Sequence, residues 1–373
     1  MDEWVRGRER AGYPRLHRVQ QKHEEEEKDS SLEAGKKLLR VLGGNAVWPP
    51  PLWLMRQAGR YLPEYRALRE RAGDFLTLCT TPELAAEATL QPVRRFGLDA
   101  AILFSDIPLL PWALGRPLAY EEGKGPIFPP LRSAGEVAAL DPARLPGAMA
   151  PVLETIRIVR RELAGSAALI GFAGGPFTLA CYLVDGGAGD FFATRSMARE
   201  EPALLRALID RLTETTIPWL AAQAEAGAEA LMLFDSWAGL LPPALFRRFV
   251  IAPTARIVSA LKERVPGVPL IGFPRLAGLM LGPYASLTGL DAVGLDTVAD
   301  PVLAAAVVPE KVALQGNLDP LALLAGGSAL AEEARAIALA LRGRPHIFNL
   351  GHGVLPDTPP AHVADLARLL RGL

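Results

Sequence analysis

Two arginines four residues apart, Arg56 and Arg60, lie in the run from Pro51 to Arg66, beside Trp53, Met55 and Tyr61. Arginine keeps its charge at any working pH, and its planar fork matches a carboxylate or phosphate through two hydrogen bonds. Their spacing predicts a helix start with both forks one turn apart. With aromatic and sulfur-bearing neighbours, the pair suits a ligand that is both apolar and anionic; the plainer alternative is two solvated charges. Further along, Asp106 follows the apolar run Ala100–Phe104, and a carboxylate there can accept N–H groups or balance a cation. Its alternative is a capping aspartate at a turn. Tyr182 and Ser236 offer hydroxyls that can bond a carboxylate or bridge to Asp106; otherwise they are a core-edge phenol and a helix cap. His352, flanked by Gly351 and Gly353, can bind an anion or shuttle protons near neutral pH, or can simply be solvated.

These residues share a position in the pattern. Eight short apolar runs recur along the chain: Leu52–Met55, Ala100–Phe104, Ala168–Phe172, Ala230–Phe234, Pro269–Phe273, Ala292–Leu295, Val312–Gln315 and His346–Leu350. Their near-continuous apolarity fits strands of a parallel sheet buried on both faces. Helical segments lie between them, among them Pro82–Phe96, Pro151–Leu163, Pro202–Ala226 and Pro243–Glu263, several opening on a first-turn proline. Ahead of the first run, Leu32 to Leu42 reads as a short amphipathic helix ending at Gly43-Gly44. Repeated βα units with no break in composition predict an α/β fold, a single (β/α)8 TIM barrel over residues 31–373. An open doubly wound sheet is the competing architecture, but no Gly-x-Gly-x-x-Gly follows a first strand. Polar and glycine residues gather just after the runs, at Arg56-Gln57, Ser105-Asp106, Gly174-Gly175, Asp235-Ser236, Pro274-Arg275, Asp296-Thr297, Gly316-Asn317 and Gly351-His352-Gly353. Barrel active sites form at those C-terminal strand ends, although turns favour the same residue types.

Composition narrows the function further. The net charge of −1 supplies no global basic field for nucleic acid or an anionic membrane, so an anion site must be a local cluster. Cys79 and Cys181 stand far apart, and the five histidines show no metal-binding spacing, so neither a disulfide framework nor a metal site is expected. Two isolated thiols fit a reducing cytoplasm. No apolar stretch is long enough to span a bilayer. The first thirty residues, with Glu24–Glu27 in their second half, lack the apolar core of a secretory signal and are too acidic for a transit peptide. Residues 1–30 are expected to be a disordered extension, or to reflect an upstream choice of start.

Taken together, these segments resemble the uroporphyrinogen decarboxylase family from about residue 36 to the C-terminus. The resemblance is carried by Pro-x-Trp-x-Met-Arg-Gln-Ala-Gly-Arg ending at Arg60, by Gly171–Leu179 leading to Tyr182 and Gly186-Gly187, and by four shorter matches. Those are Phe104–Ile107, Phe234–Ser236, Gly316–Pro320 and Asn349–Val354. The family implies a (β/α)8 barrel, a homodimer and a decarboxylation that needs no cofactor, with uroporphyrinogen as substrate. On that resemblance Asp106 holds the pyrrole N–H groups and stabilises ring cations. Arg56 and Arg60 clamp carboxylates, Arg56 being also a candidate for proton delivery. Tyr182 and Ser236 bond a carboxylate arm or bridge to Asp106, His352 binds a carboxylate arm or shuttles protons, Gln57 joins the substrate contacts, and Met55, Ile102, Phe104 and Phe234 form the apolar wall. The loop Phe273–Gly278 is less glycine-rich than the family suggests, so Arg275 receives no role. Two other readings stand beside this one: a zinc-dependent methyltransferase acting on methyl-corrinoids, which needs a thiolate and imidazole cluster, and a tetrapyrrole-binding protein without catalysis.

Overall fold

Strand alternation sends successive side chains to opposite faces, so a parallel strand under a helical layer needs apolar residues on both. The computed structural model, which describes residues 36–373 except 122 and 124, shows that arrangement. Seven strands form one parallel sheet: β1 (Ala100–Ile102), β4 (Ala168–Gly174), β5 (Ala230–Asp235), β6 (Leu270–Pro274), β7 (Ala292–Gly294), β8 (Ala313–Gln315) and β9 (His346–Ile347), hydrogen-bonded in that order. A separate antiparallel hairpin, β2 (Ala119–Glu121) with β3 (Gly125–Ile127), pairs Tyr120 with Pro126.

The first of the eight expected strands is not a ladder strand. Leu52 makes a single parallel bridge to Phe348, just beyond β9. On that side Trp53 N–H donates to Phe348 O at 3.3 Å and Phe348 N–H to Pro51 O at 2.8 Å. On the other side Asp99 N–H donates to Leu52 O at 2.9 Å, and the Asp99 carboxylate accepts from Leu52 N–H at 2.8 Å. Three prolines before Leu52 and a turn at Met55 leave too little regular backbone for more. Helices Pro82–Phe96 and Pro202–Ala226 fall where their prolines place them. The third starts earlier, at Leu145, and carries Pro151 inside it. The fourth is interrupted by a π-helical turn at Arg247–Ile251.

Alternation sorts the apolar residues into two cores. Leu169, Leu231, Leu233, Val293 and Leu314 point outward beneath the helices. Ala100, Ala168, Ala230, Ala292 and Ala313 point inward and form a floor of small side chains. The space above so many alanines is filled from below by Leu38, Val41 and Leu42 of the short helix Lys37–Leu42. Higher in the interior come Trp53, Ile170, Met232, Ile271 and Ile347, and at the top Ile102, Phe172 and Phe234 are half-buried. Trp53 satisfies its indole N–H on Gln315 Oε1 at 3.0 Å, the main polar contact of this interior.

At the floor an acidic residue precedes each of β1, β5 and β7 and grips the segment before it. Asp99, Glu229 and Asp291 accept the N–H of Leu52, Leu169 and Leu270 through their carboxylates. Their own N–H groups donate to the carbonyls of the same three leucines. Glu229 is also paired with Lys36 and with Arg160, the latter at 3.3 Å. Replacing Glu229 with Ala leaves two cations and one strand N–H without their acceptor, so urea unfolding should show a loss of about 2 kcal/mol. Retention of full stability would mean the floor contacts contribute nothing.

Candidate active site

The loop Met55–Leu62 is a sequence of turns, and the helix begins only at Pro63, so Arg56 and Arg60 do not share one helical face as the spacing predicted. Arg56 instead has φ +59°, a left-handed conformation rarely adopted outside glycine and costing roughly 1–3 kcal/mol. Its neighbours hold it there. Met55 N–H donates to Asn349 Oδ1 at 2.9 Å, and Met55 O accepts from Val354 N–H at 2.9 Å. Gln57 closes the turn, its oxygen accepting from Leu54 N–H at 3.1 Å and its amide donating to Ala100 O at 3.1 Å. The Arg56 stem then crosses Gly353, where an added Cβ would lie 2.3 Å from Arg56 Cδ. The guanidinium is exposed and makes no hydrogen bond or ion pair with a described residue. Arg60 is likewise exposed, and it lines a groove with Tyr65, Arg66, Arg69, Glu70 and Gly73.

Asp106 sits four residues beyond β1, half-buried. Ile107 N–H donates to Oδ1 at 2.9 Å, and the hydroxyl of Tyr120 donates to Oδ2 at 2.9 Å. Burial raises the carboxyl above the usual range, opposed by the Tyr120 hydroxyl, the Arg56 cation and the Ile107 N–H. The expected bridge to Asp106 from Tyr182 or Ser236 is not what forms: the phenol that reaches it is Tyr120. Tyr182, on the helix Pro176–Asp185, is held between Phe191 and Trp237 at ring distances of 6.0 and 6.4 Å. Its hydroxyl is raised by burial and by the charge of Asp106. Ser236 follows β5 half-buried, and it does not cap a helix.

His352 accepts Gly353 N–H at Nδ1, 2.7 Å away, which places its proton on Nε2. Partial burial, with the cations Arg56 and Arg275, pushes it down to about 4. The free protein therefore favours the neutral imidazole, with its proton on Nε2. Arg275, left without a role by the sequence, lies over Trp237 with its guanidinium carbon 5.8 Å from the ring centroid.

Several candidates are placed differently from expectation. Gln57 is buried and both ends of its amide are engaged, so it fixes the arginine turn instead of facing a ligand. Phe104 packs outward against Tyr65 and Phe75, at 5.5 and 5.8 Å, and does not line the interior. Met55 is buried in the inner core, below the half-exposed rings. The apolar surface open to the mouth is that of Ile102, Phe172 and Phe234, the two phenylalanines meeting edge to face at 5.5 Å. Most remaining polar strand-end residues tie loop to loop. Asp235 accepts the Thr178 hydroxyl at 2.5 Å, and burial pushes its carboxyl up to about 6. Asp296 accepts Leu276 N–H, and Asn317 donates to the carbonyls of Asp296 and Ala299. Two groups escaped the sequence reading. Tyr120 was hidden in a hairpin whose two glycines, Gly123 and Gly125, are its one local sign. Arg69 sits mid-helix with a buried Nη1 unpartnered and its guanidinium 5.8 Å from the Phe75 ring. Among the described residues no group of three His, Cys, Asp or Glu side chains is placed to hold a metal ion.

A parallel α/β enzyme with a cationic mouth at the C-terminal ends of its strands, and one partly buried carboxylate within it, is the class this arrangement defines. The chain belongs to the uroporphyrinogen decarboxylase (URO-D) family, whose profile matches residues 33–373. It is 62% identical over 340 residues to the uroporphyrinogen decarboxylase of Acidiphilium cryptum (strain JF-5), covering 91% of this chain and 95% of that one. It is 59% identical over 350 residues to that of Gluconacetobacter diazotrophicus, covering 91% and 99%. Among solved structures, a methyltransferase from Methanosarcina mazei superposes with a TM-score of 0.77 at 24% identity, covering 91% of this chain and 98% of that one, a likeness of fold alone.

The two cations that hold His352 neutral can be separated by mutation. In Arg275→Met the ring should titrate above its parent value of about 4, toward the ordinary histidine range, because one like charge is gone. The His352 ring protons followed by NMR would check this, and an unmoved midpoint would remove Arg275 from the mouth.

Proposed function

We propose that the chain removes the four acetate carboxyls of uroporphyrinogen III, leaving methyl groups, to give coproporphyrinogen III and four CO2 without a cofactor. The observation that carries this reading is the half-buried carboxylate of Asp106, set beside the unpaired Arg56 cation above an apolar floor. A decarboxylase must place an electron pair as CO2 leaves. A pyrrole can accept it once a ring carbon is protonated; a second proton then converts the exocyclic methylene to methyl, and the ring carbon gives up the first proton as the pyrrole is restored. Each arm thus consumes one proton net. Asp106 accepts the pyrrole N–H groups on lone pairs left free by Ile107 and Tyr120, and its charge stabilises the protonated ring. Arg56 and Arg60 hold carboxylate arms, and neutral His352 donates to another through Nε2. Ser236 and Tyr182 add hydroxyl donors at the rim. Free guanidinium is a very weak acid, so Arg56 is assigned to orienting the water or carboxyl that brings the proton.

The reading extends to architecture and setting. We take residues 31–373, of which 31–35 lie outside the described residues, as one barrel, closed where the Leu52 segment stands between β9 and β1. We place the enzyme in the cytoplasm; among the described residues no helix is long and apolar enough to cross a membrane. A homodimer is proposed, supported by exposed Leu279, Val298, Val302 and Leu303 on neighbouring segments near the mouth. Sedimentation velocity should give twice the monomer mass, and Val302→Glu with Leu303→Glu should halve it; a parent chain that sediments as a monomer would sink the dimer.

The central test is turnover. Purified protein treated with a chelator and given anaerobically reduced uroporphyrinogen III should release CO2 and form heptacarboxylate and later products. Binding without product would favour a non-catalytic carrier. Asp106→Asn should lower kcat by at least about a hundredfold while its circular dichroism stays that of the parent. Full activity in that variant would take Asp106 out of the chemistry.

A further inference from the structure

Tyr120 stands on β2, outside the parallel sheet, yet its hydroxyl reaches Asp106 Oδ2 at 2.9 Å. Its ring is held independently of that bond, edge-on to Phe75 at 4.8 Å. Phe75 in turn packs on Phe104, beside the end of β1. The hairpin is fastened at its exit, where Phe128 N–H donates to Gly186 O at 2.8 Å, at the end of the helix that carries Tyr182. Packing from one side and backbone bonding from the other therefore fix the phenol over the carboxylate. With Ile107 on Oδ1 and Tyr120 on Oδ2, each oxygen of Asp106 has one donor, and the carboxylate plane cannot rotate without losing both.

We propose that Tyr120 is a positioning residue for decarboxylation, holding Asp106 in one orientation and in its anionic form. This rests on the reading of Asp106 as the counter-charge to the pyrrole ring. Five titratable or charged side chains face Asp106. Arg56 comes from the strained turn, Tyr65 and Cys79 from the helices Pro63–Ala72 and Phe75–Thr80, Tyr182 from the helix behind β4, and Tyr120 from the hairpin. Of these, only Tyr120 and Arg56 favour the anion, against the burial that disfavours it. Arg56 is exposed, so solvent and salt screen its charge. The Tyr120 hydroxyl acts by direct contact and is not screened in that way.

Tyr120→Phe keeps the ring and its packing and removes only the hydroxyl. The acidic limb of kcat/KM should move up by about 1 pH unit, with about a tenfold loss on that limb and recovery toward the parent at alkaline pH. A purely structural role would lower activity at every pH alike. The second measurement needs no substrate. The 13C carboxyl resonance of Asp106, identified by its disappearance in Asp106→Asn, should titrate about 1 pH unit higher in Tyr120→Phe. A limb and a resonance both unmoved would overturn the proposal. Should the parent chain prove unable to decarboxylate, the reading of its function fails, and the resonance still shows or refutes the hold of Tyr120 on Asp106.

Discussion

The left-handed turn at Arg56 is the constraint on which the rest of the mouth depends. A β-like segment too short for a ladder must reverse direction within one residue and still project a long cation into the opening. It does so because Asn349, Val354 and Gln57 hold the backbone on either side, and because Gly353 has no side chain where the arginine stem must pass. The charge so placed acts on Asp106, Tyr182 and His352 together, favouring the anion on the first two and the neutral ring on the third. A glycine at 56 would relieve the backbone and lose the charge; a regular helix would keep the charge and aim it elsewhere.

The mouth also shows how a site with many polar residues leaves few of them free. Each loop beyond a strand has backbone groups that need partners, and here the neighbouring loop supplies them. Asp235 secures the β4 loop through Thr178, Asp296 secures the Arg275 loop, Asn317 secures the loop after β7, and Asn349 secures the arginine turn. The result is a ring of loops braced by their own side chains. Against that rim, groups left free among the described residues include the Arg56 guanidinium, Ser236, the Nε2–H of His352 and the remaining lone pairs of Asp106.

Much of this was legible in the chain. Seven of the eight apolar runs are strands within two or three residues of their expected ends, because parallel strands buried on both faces cannot hide their composition. The eighth failed because prolines and a turn limit it to one bridge, to Phe348. Asp106, Ser236 and His352 follow β1, β5 and β9, and Arg56 follows the Leu52 segment, while Tyr182 stands on the helix after β4. Orientation was less accessible. Gln57 and Phe104 are adjacent in sequence to mouth residues, yet they face the scaffold, since direction beyond a strand end depends on turn geometry that periodicity does not encode. Tyr120 lay outside every periodic element, and its partner stands fourteen residues away across a loop.

The alanine floor, stoppered by Leu38, Val41 and Leu42, makes the interior a vessel with one door. Among the described residues the alanines and leucines of this floor are buried against one another, so nothing the size of a ring passes between them, and whatever enters at the strand ends backs out the same way. A ligand with several equivalent arms cannot be threaded past the carboxylate like a ribbon. It has to turn at the threshold, presenting one arm after another to a fixed point.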